Sequence, residues 1–155
     1  SDWGDRLFCY HASLEEFVNE IDDTYDLIIS NPPFYTDDFK SGNKARDKAR
    51  FEEALPFTEL LSSVSKLLSP SGQLNVIIPF SEEENFINLA KKKRLYPSRI
   101  LRVRGQESSP LKRSLICFTF KKKSVDDIRE LTIEIIRHQY TEDYINLTKD
   151  FYLKL

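Results

Sequence analysis

The chain has 155 residues, of which 40% are apolar and 31% charged, and its formal net charge is −2. This length suits one domain with a real core, and the balance is that of a soluble globular protein. No apolar run approaches the length of a membrane-crossing helix and no secretory signal opens the chain, so it is read as cytoplasmic. Cys9 and Cys117 lie in apolar, strand-like contexts and are expected to be buried thiols in a reducing compartment. His11 and His138 have no cysteine at ligand spacing, and no metal site is predicted.

In chain order, Arg6–Tyr10 reads as a short strand with His11 at its end, in a surface or core-edge position. Ser13 and Glu16 have capping-box spacing, and Leu14, Phe17, Val18 and Ile21 form a helical apolar stripe behind them. Asp26–Ser30 follows as a strand whose continuous Leu27-Ile28-Ile29 run predicts burial on both faces. Tyr35–Glu53 has little periodicity and reads as a long functional loop. Phe57, Leu60, Leu61, Val64, Leu67 and Leu68 define an amphipathic helix, which Ser69-Pro-Ser-Gly72 is expected to end. Leu74–Pro79 is a second buried strand. Ser81 and Glu84 repeat the capping-box spacing before a helix with Phe86, Ile87 and Ala90 inward. Lys91–Arg94 ends that helix, where cations complement its dipole. Arg99–Arg104 and Ser114–Phe120 predict an antiparallel pair at a sheet edge, and Leu131–Ile136 alternates as an extra strand. From Thr141 the tail reads as helical, with Tyr144, Leu147 and Phe151 on one side.

The chemistry points to Asn31-Pro32-Pro33-Phe34. Proline has no N–H and cannot continue a central ladder, so the dipeptide leaves a polar Asn31 at a strand's carboxyl end. In open α/β sheets ligands bind outside those ends. Pro32 biases Asn31 towards an extended backbone, which holds its carboxamide oxygen as an acceptor. The Pro32 carbonyl is a second acceptor, and Pro33 brings no N–H to compete. Two acceptors converging on an exocyclic NH₂ draw its lone pair out of conjugation. Phe34 offers a stacking face worth about 1–3 kcal/mol to a base.

Asp26-Leu-Ile-Ile-Ser-Asn-Pro-Pro-Phe-Tyr35 resembles the acceptor motif of S-adenosylmethionine-dependent methyltransferases that act on amines conjugated to a π system. More narrowly, Ser1–Arg6, this motif, Lys44–Arg50 and the tail Leu147–Lys154 resemble the bacterial tRNA(Val) adenine-N6 methyltransferases. The resemblance implies an α/β, Rossmann-like class I methyltransferase sheet with an antiparallel hairpin at its C-terminal edge. Residues 1–155 would then be the C-terminal portion of a single catalytic domain. It implies methylation of the adenine 3′ of the anticodon (position 37), with Asn31, Pro32, Pro33 and Phe34 catalytic. It also implies S-adenosylmethionine as cofactor, with Ala12, Ser13 and Asn31 near it. A glutamine amide, a DNA adenine and a ribosomal guanine N2 present a similar planar nitrogen, and a non-catalytic RNA-binding module is the rival of another class.

Charge is segregated along the chain. Lys40, Lys44, Arg46, Lys48 and Arg50 stand against one acid, Asp47, just after the acceptor motif, where they suit an RNA backbone. Lys91–Arg94, Lys112-Arg113 and Lys121–Lys123 add further clusters.

The four glycines, Gly4, Gly42, Gly72 and Gly105, are too scattered for the glycine turn that holds this cofactor in the resembling family. The cofactor-binding half is therefore expected to be absent, and with it the strands that separate Arg6–Tyr10 from Asp26–Ser30. Strand exchange between chains is one way such a sheet is completed. The 155 residues alone are expected to bind S-adenosylmethionine weakly or not at all; micromolar affinity by isothermal titration would contradict this.

Overall fold

The computed structural model describes residues 2–33 and 56–153. Its elements are α1 (Leu14–Glu20), β1 (Tyr25–Ser30), α2 (Phe57–Leu67), β2 (Leu68–Pro79), α3 (Glu83–Lys92), β3 (Tyr96–Gln106), β4 (Leu111–Thr119), β5 (Asp127–Ile136), β6 (Gln139–Tyr140) and α4 (Glu142–Thr148). The strands form one mixed sheet in the order β1-β2-β4-β3-β5-β6. β1 and β2 are parallel, β4 runs against both β2 and β3, and β5 lies parallel to β3. The expected hairpin is therefore β3–β4, with β4 inserted beside β2. The extra strand foreseen at Leu131–Ile136 is β5, which extends the sheet beyond the hairpin.

The core lies on one face. Leu60, Leu61 and Val64 of α2 and Phe86 and Ala90 of α3 pack on Leu74, Val76, Ile78, Ile100, Ile116 and Phe118. Phe86 is the hinge of this packing, with its ring 4.8 Å from Phe57 and 5.6 Å from Phe118. The apolar spacing read from the two helices matches these contacts, because residues three and four apart share a face.

Several expectations change. β1 is not buried on both faces: Leu27 is 53% and Ile29 74% exposed. Among the described residues β1 pairs only with β2, and α2 and α3 cover only the side that Ile28 faces. Arg6–Tyr10 is not a strand; Trp3 O accepts from the Arg6 and Leu7 amides in a turn, and the following residues are irregular and exposed. A strand needs a ladder partner, and none of the described strands pairs with this segment. Cys9 is consequently exposed, whereas Cys117 is buried as expected.

Ser69–Gly72 does not end α2 as a turn but forms the first part of β2. Gly72 permits this, since a Cβ there would stand 2.9 Å from the Tyr25 carbonyl. Ser69 Oγ donates to Asp26 Oδ1 at 2.6 Å, which ties the start of β2 to β1. The Ser81–Glu84 box does not form. A 3₁₀ turn, Phe80–Glu82, enters α3 without a side-chain cap.

Phe86→Ala is expected to destabilise the 155-residue chain by about 3–5 kcal/mol, while Ile29→Ser changes it by no more than about 0.5 kcal/mol. Equal costs in urea unfolding would contradict a one-sided core.

Candidate active site

The topology gathers the carboxyl ends of β1, β2 and β3 on one rim of the sheet, together with the start of β4. This rim carries Asn31–Pro33, Pro79-Phe80 and the turn from Gln106 to Leu111. At the end of β1 the alternation continues past the ladder. Pro32 is buried on the side of Ile28 and Ser30, whereas Asn31 and Pro33 are exposed. Burial of the proline ring fixes the loop, and the adjoining carboxamide is left in solvent.

Asn31 stands at one end of a cavity of about 660 Å³ on the uncovered sheet face. The floor of this cavity is apolar, made by Ile29, Ile77, Leu101 and Leu115, with Leu147 of α4 at its side. Arg99, Asp127 and Arg129 line it elsewhere. Ala12 and Ser13 are not part of this lining. Both are exposed at the start of α1, where the capping box foreseen in the sequence is complete. The Ser13 hydroxyl donates to Glu16 Oε2 at 2.8 Å and accepts from the Glu16 amide at 3.2 Å, and the Ser13 amide donates to the same carboxylate oxygen. The cap thus takes up both polar hydrogens of Ser13. Phe34, Lys40, Lys44, Arg46, Lys48 and Arg50 lie outside the described residues.

The remaining basic clusters divide by rim. Lys91–Arg94 precedes β3 and Lys121–Lys123 follows β4, and Tyr96 pairs with Thr119 there, so both belong to the rim opposite Asn31. Lys112 and Arg113 begin β4 beside Pro79, on the Asn31 rim. Sequence proximity alone could not make this separation.

A polar cluster on the Asn31 rim was not anticipated. Glu83, only 8% exposed, accepts from Arg102 through Nη2 at 2.7 Å and Nε at 3.1 Å, and also from the Ser114 hydroxyl. Hydrogen bonding to Glu83 holds Arg102 above the usual guanidinium range, against a smaller effect of burial. The Arg102 guanidinium sits 5.6 Å from the centroid of the half-buried Phe80 ring. One signal was present: Glu83, Phe86 and Ala90 fall at helical spacing, which turns Glu83 inward. Among the described residues no group of three His, Cys, Asp or Glu side chains is placed to hold a metal, and no helix is long and apolar enough to cross a membrane.

The sheet is thus mixed α/β, parallel from β1 to β2 and reversed at β4, with Asn31-Pro32-Pro33 at its rim. No family model matches the sequence. Over its full length the chain is 57% identical to a Christiangramia forsetii protein, 55% to one from Flavobacterium johnsoniae and 41% to one from Bacteroides fragilis. All three are named tRNA1(Val) (adenine(37)-N6)-methyltransferase. This chain spans 65%, 66% and 65% of their respective lengths. Among solved structures, a predicted O-methyltransferase from Agrobacterium tumefaciens gives a TM-score of 0.49 at 17% identity, over 60% of this chain and 45% of that one.

The Ser13 amide and hydroxyl hydrogen bonds hold the Glu16 carboxyl below its ordinary value. Their contribution to α1 is therefore present at neutral pH and is lost as pH falls through the carboxylate range. The Ser13 amide proton shift should titrate with a midpoint below that of a free glutamate, about 4.3, and Glu16→Gln should abolish the titration.

Proposed function

We propose that the protein containing this chain is a cytoplasmic tRNA adenine-N6 methyltransferase that acts on the adenine 3′ of the anticodon of tRNA(Val). The observation that supports this most is the exposed Asn31 carboxamide, set on a buried Pro32 at the carboxyl end of β1. The names of the relatives point to the same substrate.

In this reading the acceptor base leaves the anticodon stack and enters the rim. Asn31 Oδ1 and the Pro32 carbonyl accept the two N6 hydrogens. That geometry turns the nitrogen lone pair out of the ring system and towards an incoming methyl. Phe34 stacks on the base, and Lys40, Lys44, Arg46, Lys48 and Arg50 hold the neighbouring phosphates. Lys112 and Arg113 extend this basic surface along the rim. S-Adenosylmethionine, which Ala12, Ser13 and Asn31 would help to hold, would supply the electrophilic methyl group and leave as the neutral thioether. The surrounding residues contribute orientation and fixed dipoles; no dedicated base is needed, because the nitrogen becomes acidic as it is methylated and releases its proton to water.

Asn31→Ala in the full-length protein is expected to lower single-turnover methyl transfer by about 10²-fold or more, with RNA affinity within about threefold of the parent, since base-edge contacts add little to phosphate-driven binding. Unchanged single-turnover rates would remove Asn31 from the mechanism. A panel of tRNA, ribosomal RNA, DNA and a glutamine-bearing protein, offered with labelled cofactor, tests the substrate class; transfer to any substrate but tRNA overturns the proposal.

A further inference from the structure

We propose that Phe80 is a second ring that contacts the acceptor base, fixed in place by Arg102, Glu83 and Ser114. The inference rests on the function proposed above. β1 and β2 run in parallel register with Ser30 opposite Val76. β1 leaves the ladder after Ser30, while β2 runs three residues further to Pro79, and Phe80 follows at once. Neighbouring strands lie about 4.7–4.9 Å apart, so the Phe80 backbone is one strand from the Asn31 loop and on the same rim.

The ring is half-buried, and the Arg102 guanidinium lies over it. Arg102 is itself clamped in a fork by both oxygens of Glu83, of which Oε2 also accepts from the Ser114 hydroxyl. Buried ion pairs rarely stabilise a fold better than apolar residues of the same volume. What this one achieves is placement: it sets a cation against an aromatic ring on the rim that carries Asn31. A flat, partly desolvated ring backed by a guanidinium suits a purine, which stacks without regard to its hydrogen-bonding edge. Phe80 is thus the contacting residue, and Arg102, Glu83 and Ser114 are positioning residues.

The test uses the full-length protein and two forms of an anticodon stem-loop, one with adenine and one with 2-aminopurine 3′ of the anticodon. Phe80→Leu keeps most of the apolar volume and removes the ring face, while Phe80→Tyr keeps the face. In Phe80→Leu, quenching of 2-aminopurine fluorescence should be largely lost and kcat should fall about tenfold or more. RNA affinity and the melting temperature should stay near those of the parent. Phe80→Tyr should retain both quenching and rate. Arg102→Lys, which keeps the charge but loses the fork, should reduce quenching with little change in KM. Parent-like quenching and kcat in Phe80→Leu would overturn the assignment, as would a loss in Phe80→Leu that Phe80→Tyr shares. A parent protein that methylates none of the RNAs would instead refute the proposed function, and this inference with it.

Discussion

One strand leaves the sheet where its chain runs into proline. The β1 ladder with β2 ends at Ser30, opposite Val76, and Asn31-Pro32-Pro33 follows at once; proline brings no N–H to continue it. β2 goes on for three more residues beside β4, to Pro79. The placement of the candidate site depends on this staggered stop. It leaves Asn31 exposed at the rim, just past the last paired residue of β1, with Pro32 buried next to it.

Behind that rim the two faces of the sheet are unlike. One is sealed by α2 and α3 around Phe86 and Phe118, and this cluster makes the strands a stable platform. The other keeps Leu27, Ile29 and Leu115 open, and the cavity that reaches Asn31 lies on it. An apolar floor running up to a polar acceptor suits a site from which water is to be excluded, since interactions strengthen as the local dielectric falls. The fully formed core and the open floor thus belong to alternate residues of the same strands.

The Glu83–Arg102–Ser114 cluster shows a different economy. A carboxylate this buried is tolerated because each oxygen is matched by a donor, and no buried side-chain polar atom is left unsatisfied among the described residues. Its elements come from α3, β3 and β4, so it locks the entrance of α3 to the middle of the sheet. Phe80, between Pro79 and that entrance, inherits the rigidity. The basic residues follow a comparable logic: strand direction, not spacing along the chain, decides which of them share a rim with Asn31.

Much was legible before any coordinates. Helical spacing identified α1, α2 and α3 with their inward residues, and the Ser13–Glu16 box marked where α1 begins, because these signals are local and periodic. The β3–β4 pair and the extra strand β5 were likewise readable from alternation and turn residues. The end of β1 before Asn31-Pro32-Pro33 was readable from covalent constraint alone, since a missing N–H and a fixed φ need no tertiary context. Burial was less readable: Leu27 and Ile29 have the composition of a central strand, yet their exposure depends on which elements lie beside them. Whether Arg6–Tyr10 forms a strand depends in the same way on a partner ladder, which local sequence does not encode. The amino-acid sequence thus determined the helices and the end of β1, whereas only the tertiary structure decided which face stays open, which cations share the rim, and that Glu83 meets Arg102 and Ser114. Those outcomes arise from contacts between residues far apart in the chain, and strand order and direction set which of them meet.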